Sequence, residues 1–106
     1  MMQVEEKQHG EWTVLALTGK ISTETAPEFQ TRLLAVIERG APKLAVDLGG
    51  VDYISSIGIR VVMLGLKGQR AKKGELVFCR PNDSLQMLFK ITGLTGLVKI
   101  LPELPA

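Results

Sequence analysis

Two adjacent serines, Ser55 and Ser56, stand where an apolar strand pattern gives way to an apolar helix pattern. Serine is favoured at a helix start because its hydroxyl accepts from the unpaired N–H groups there. A phosphate placed at the same point would meet the positive end of the helix. The chemistry on offer is therefore capping and phosphoryl acceptance. Other chemistry is thin. His9 is the sole histidine, so a metal cluster has no second imidazole to draw on, and in a turn it reads as a polar turn residue. Asp47 ends a strand without an evident partner residue and reads as bonding to the turn. Trp12 and Cys79 fall inside strand patterns and read as core. The chain has no G-x-S-x-G elbow, no phosphate loop and no G-x-G-x-x-G. No catalytic residue, metal site or cofactor is expected, and the inventory points away from an enzyme.

The elements that must position the serines follow from the apolar periods. Leu44 to Leu48 is a short apolar run of the kind a buried strand makes, stopped by Gly49-Gly50. From Ile57 the period becomes helical and continues until Gly74. At about 100° per residue, Ile59, Val62, Met63 and Leu66 share one side, which is assigned to the sheet. Ile57, Val61, Leu64 and Gly68 point roughly the other way, whereas a surface helix needs only one apolar face. The second stripe therefore calls for a cover, either another part of the chain or a partner. Arg60 and Lys67 border it and could hold an acidic rim.

Upstream, Val4 to Gln8 and Trp12 to Thr18 read as strands joined by a tight turn at His9-Gly10-Glu11, with Gly19 ending the second. Thr25-Ala26-Pro27-Glu28 has the form of a capping box with proline in the first turn. Phe29, Leu33, Val36 and Ile37 then fall on one helical face, and Gly40 marks the exit. Downstream, Glu75 to Cys79 reads as a strand stopped by Pro81. Asn82 or Asp83 can cap a helix carrying Leu85, Leu88 and Phe89, closed by Gly93. Leu97 to Leu101 is expected as a last short strand and Leu104-Pro105-Ala106 as a frayed tail. A hairpin followed by alternating helices and strands predicts an α/β fold, its central sheet mixed but mostly parallel, with helices packed on it.

With 106 residues, 45% of them hydrophobic, the chain reads as one domain over residues 1–106 with an ample core. A net charge of +2 without a basic stripe interleaved with aromatics argues against direct nucleic-acid binding. No apolar run reaches the roughly 18 residues needed to cross a bilayer, so membrane insertion is not expected. Met-Met-Gln-Val-Glu-Glu-Lys carries no apolar signal segment. The single cysteine fits a reducing compartment, and a cytoplasmic protein is expected.

Three ordered motifs carry a family resemblance. Val46-Asp47-Leu48-Gly49-Gly50-Val51-Asp52-Tyr53-Ile54-Ser55-Ser56-Ile57-Gly58-Ile59-Arg60 resembles the signature of STAS domains, specifically the bacterial anti-sigma factor antagonists. Gly19-Lys20-Ile21-Ser22-Thr23-Glu24-Thr25-Ala26-Pro27-Glu28-Phe29 is similar to the loop leading into that family's first helix. Leu88-Phe89-Lys90-Ile91-Thr92-Gly93-Leu94 is similar to its last helix. The resemblance implies a partner-switching regulator: the unmodified protein binds an anti-sigma factor, itself a serine kinase of the ATPase-kinase type, and is released on phosphorylation. It further implies a serine phosphatase acting on the phosphorylated form. Ser22, Thr23, Ser55, Ser56, Ile57, Arg60, Val61 and Leu64 are the partner-binding candidates. The chain departs from the family pattern at Ile57, which stands where the phosphorylated serine usually precedes the glycine. Ser56 is therefore taken first as phosphoacceptor and Ser55 second. A STAS domain serving as a non-switching accessory subunit of a membrane transporter or sensory scaffold is the alternative.

Overall fold

Gly10 adopts a left-handed φ of 61°, which lets the chain reverse tightly between β1 (Met2–His9) and β2 (Trp12–Ile21). The two strands pair antiparallel from His9 opposite Trp12 to Met2 opposite Gly19. Here, as throughout, the computed structural model describes residues 2–105. From β2 onward the chain alternates α1 (Ala26–Glu38), β3 (Lys43–Ile54), α2 (Ser56–Ala71), β4 (Glu75–Cys79), α3 (Asp83–Ile91), a single 3₁₀ turn (Leu94–Gly96) and β5 (Lys99–Leu101). The sheet order is β1-β2-β3-β4-β5, with each pair after the first parallel. The fold class is the mixed α/β architecture expected from the hairpin and the alternating periods.

Each crossover steps to the next strand in the same direction, so the right-handed rule puts the helices on one face. Packing agrees. Leu15, Leu17, Leu44, Val46, Leu76 and Phe78 on that face join Phe29, Leu33 and Ile37 of α1, Val62 and Leu66 of α2, and Leu85 and Phe89 of α3 in one core. On the reverse face Trp12, Val14, Ala45, Val77 and Cys79 form a smaller cluster, with Leu101 and Leu104 packed against it. Burial on both faces is why β2, β3 and β4 read as nearly unbroken apolar runs. Leu104 therefore belongs to a packed segment rather than a frayed tail. Ala106 lies outside the described residues. Burial pushes the Cys79 thiol up to about 11, with the charge of Asp47 adding to the effect.

Two glycine stops behave differently from expectation. β2 runs through Gly19 to Ile21, and β3 runs through Gly49-Gly50 to Ile54. The β2–β3 register shifts between Ala16 and Thr18 and again between Gly19 and Lys20. A β-carbon on Gly50 would stand 2.6 Å from Cγ2 of Thr18, so glycine here lets the strands close past an irregularity instead of ending them. That extension carries β3 directly to the start of α2. The cap of α3 is Asn82, whose Oδ1 accepts from the Leu85 N–H at 2.8 Å.

Candidate functional site

The end of β2 and the start of α2 are tied together by backbone. The Ser55 N–H donates to the Ile21 carbonyl at 2.8 Å. Ser55 sits at the N-cap of α2 in an extended conformation, and its hydroxyl accepts from the Gly58 N–H at 3.2 Å. It is buried and already engaged. Ser56 is the first residue of the helix and is exposed. Gly58 has a structural reason: a β-carbon there would come within 2.8 Å of Cγ2 of both Ile21 and Ile54. Only glycine allows α2 to start this close to the ends of both strands.

The loop before α1 closes the other side. Thr25 makes no side-chain cap, so the capping box expected from sequence does not form. Its hydroxyl instead donates to the Lys20 carbonyl at 2.7 Å and accepts from the Ser22 N–H at 2.8 Å. The Ser22 carbonyl accepts from the Ala26 N–H at 2.8 Å, and the Glu28 N–H, which the missing cap would have taken, donates to the Thr25 carbonyl at 3.1 Å. Ser22 is half-buried and Thr23 exposed at the loop tip. The Ile21–Ser55 hydrogen bond thus brings Ser22 and Thr23 beside Ser55 and Ser56.

Along α2 the apolar stripes are rotated from the expected positions. Val61 is 1% exposed and belongs to the core, whereas Met63, assigned to the sheet, is 47% exposed. The cause is α1, which lies alongside α2: a β-carbon on Gly65 would stand 2.5 Å from Cδ2 of Leu33. Gly65 and Gly68 let α1 approach on the flank of Val61, so the second stripe is partly covered from within the chain. Val61 cannot present an apolar surface to a partner. Ile57 and Leu64 remain accessible at 37% and 38% exposure, with Arg60 exposed between them.

Tyr53 was not singled out from sequence. It is 50% exposed at the end of β3, opposite Lys20 in the β2–β3 register, and so flanks the serines. Strand alternation carried past Gly50 would have placed it. Arg80 was also missed. Asp47 bonds to its turn as expected, Oδ1 accepting from the Gly49 N–H at 2.9 Å. It also accepts from Arg80, with Nε 2.9 Å from Oδ1 and Nη2 bonded to Oδ2. Arg80 reaches it from a left-handed backbone, φ 56°, and its guanidinium occupies the space a β-carbon on Gly49 would need. This fork clamps the middle of β3 to the end of β4.

Burial works to raise the Asp47 carboxyl, but the hydrogen bonds from Arg80 and the Gly49 N–H, with the nearby positive charge, hold it below its ordinary 3.8. A depressed folded value means stability that is present above the unfolded value and lost as pH falls through the folded one. The thermal midpoint of the wild type should therefore fall on acidification below about pH 4. Asp47→Asn should start lower and show a shallower fall. Parallel acid profiles for the two proteins would remove this role from Asp47.

The mixed sheet with its helices on one face defines a class of small α/β domain, and comparison with known proteins identifies the family. The family model described as "Mlab, STAS domain" matches residues 4–101. The chain belongs to the STAS domain family. BtrV of Bordetella bronchiseptica is 33% identical over 87 residues, 82% of this chain and 75% of that protein. The anti-sigma-B factor antagonist of Listeria monocytogenes is 33% identical over 84 residues, 79% of this chain and 74% of that protein. An anti-sigma factor antagonist from Mycobacterium paratuberculosis shares the fold with a TM-score of 0.90 at 21% identity, covering 98% of this chain and 88% of that one.

Proposed function

We propose that this protein is a cytoplasmic anti-sigma factor antagonist, acting by binding rather than catalysis, whose partner is an anti-sigma serine kinase and whose affinity is set by phosphorylation of Ser56. Names of relatives at 33% identity support the antagonist role. One observation carries the choice of serine: Ser56 is exposed on the first turn of α2, while the Ser55 hydroxyl is buried against the Gly58 N–H. The partner surface comprises Ser56, Ile57, Arg60 and Leu64 on α2 with Ser22 and Thr23 beside them. Phosphorylation adds about two negative charges at the centre of that surface. Arg60 lies four residues on, on the same side of the helix, and so within reach of the phosphate. The modification would then both repel an acidic partner and withdraw the cation that holds it. A serine phosphatase would restore binding.

The departure at Ile57 favours a second reading, in which a STAS subunit of a membrane transporter or sensory scaffold binds its partner regardless of serine state. Capture of partners from the native cell, with labelled ATP and mass spectrometry of both serines, separates the two. Label is expected on Ser56, lost in Ser56→Ala and kept in Ser55→Ala, and Ser56→Asp should weaken capture about tenfold or more. Label confined to Ser55 would overturn the assignment. Capture without any label, unaffected by Ser56→Asp, would establish the non-switching reading.

A further inference from the structure

A groove of about 220 Å³ lies on the far half of α2, between that helix and the chain leaving the 3₁₀ turn. Met63 and Leu64 of α2 and Leu97 beyond the turn supply apolar walls, and Arg60, Lys67 and Arg70 stand at its rim. Met63 and Leu97 are 47% and 46% exposed, an unusual position for two large apolar side chains facing one depression. Among the described residues none of the three cations makes an ion pair, although pairs form elsewhere on the surface, such as Arg39 with Glu6. Arg70 is held in place by donating from Nη2 to the Leu97 carbonyl at 2.9 Å, which joins the two walls.

We propose that this groove docks an amphipathic helix of a partner protein whose apolar stripe is bordered by carboxylates. Charge complementarity selects the acid: three unpaired cations around an apolar floor suit an anionic rim. Arg60 and Lys67 are two helical turns apart, about 10.5 Å, which is the separation of carboxylates two turns apart on a helix laid alongside. The size argues for side chains rather than a cofactor, since small-molecule pockets run to about 300–1,000 Å³. The concavity argues against a membrane, which takes protruding apolar residues rather than a recess. The groove shares Arg60 and Leu64 with the partner surface proposed above and extends it along α2 beyond Ser56, and peptide binding by the unmodified protein tests it separately from any modification of the serines.

The probe is a synthetic amphipathic helical peptide with leucines at three-four spacing and glutamates along both borders, titrated while the methyl resonances of Met63 and Leu97 are followed by NMR. The signals should shift saturably. The affinity should fall about tenfold or more in the double variant Lys67→Glu, Arg70→Glu. Should the double variant fold poorly, Met63→Glu at an exposed position should weaken binding likewise, followed through the remaining Leu97 methyls. The proposal is overturned if neither methyl shifts, or if a peptide with lysines in place of the glutamates binds as well. It is also overturned if the protein sediments with phosphatidylglycerol vesicles through the same cations while the peptide leaves it unshifted, which would assign the surface to lipid.

Discussion

Val61→Asp should unfold the protein, whereas Leu64→Asp, three residues along the same helix, should leave it standing. Val61 is 1% exposed and wedged on the flank of α2 that meets α1, so an aspartate there buries a carboxylate with no cation to pair it. Such changes fall in the extreme tail of point mutations, at about 4 kcal/mol or more. Leu64 is 38% exposed and loses only partial contacts, so its replacement should cost about half a kcal/mol to one. Urea denaturation followed by circular dichroism reads both. Equal midpoints for the two variants would contradict the rotation of α2 described above. Partner capture should then fall for Leu64→Asp with the fold intact, which assigns Leu64 to the binding surface without confusing lost affinity with lost structure.

Gly58→Ala is the second large effect, and its sign runs against the usual rule. Replacing a helical glycine by alanine ordinarily stabilises by about 1 kcal/mol. At Gly58 the new methyl would lie 2.8 Å from the Cγ2 atoms of Ile21 and Ile54, both buried and β-branched, with little room to rotate away. Overpacking of this kind costs about 1–3 kcal/mol, so a net loss is expected. Because Ser55 donates to the Ile21 carbonyl, relief of the clash must also move the serines relative to the Ser22 loop. The amide resonances of Ser22, Ser55 and Ser56 should shift together, and phosphoacceptor activity of Ser56 should drop more than stability alone explains. A stabilised Gly58→Ala with unmoved amides would show that the close approach is not needed.

The fold class was legible because its signals are local. Gly10, Gly40 and Gly93 take the left-handed conformations that end elements, and the apolar periods switch from strand to helix where the elements do. Ser55 and Ser56 were equally legible, since a helix start is defined by the residues flanking it. Gly19 and Gly49-Gly50 misled because a glycine that ends a strand and one that lets two strands crowd together have the same letter. What separates them is the neighbour: Thr18 against Gly50, the Arg80 guanidinium over Gly49.

The positions decided only by tertiary structure share that cause. Arg80 follows a strand as an unremarkable cation, and nothing in its surroundings along the chain ties it to Asp47, 33 residues away. Thr25 fits a capping box, yet its hydroxyl finds the Lys20 carbonyl once the loop closes. Val61 and Met63 were exchanged because projecting a helix gives the angles between residues but not which angle faces the sheet. That zero is set by α1 leaning on Gly65 and Gly68, a contact between elements that the periodicity of α2 does not contain. The sequence by itself determined which elements form, their order and the serines at the start of α2. The rotation of that helix, and with it the division between core and binding surface, was decided by packing, because burial is a property of pairs of elements and not of one.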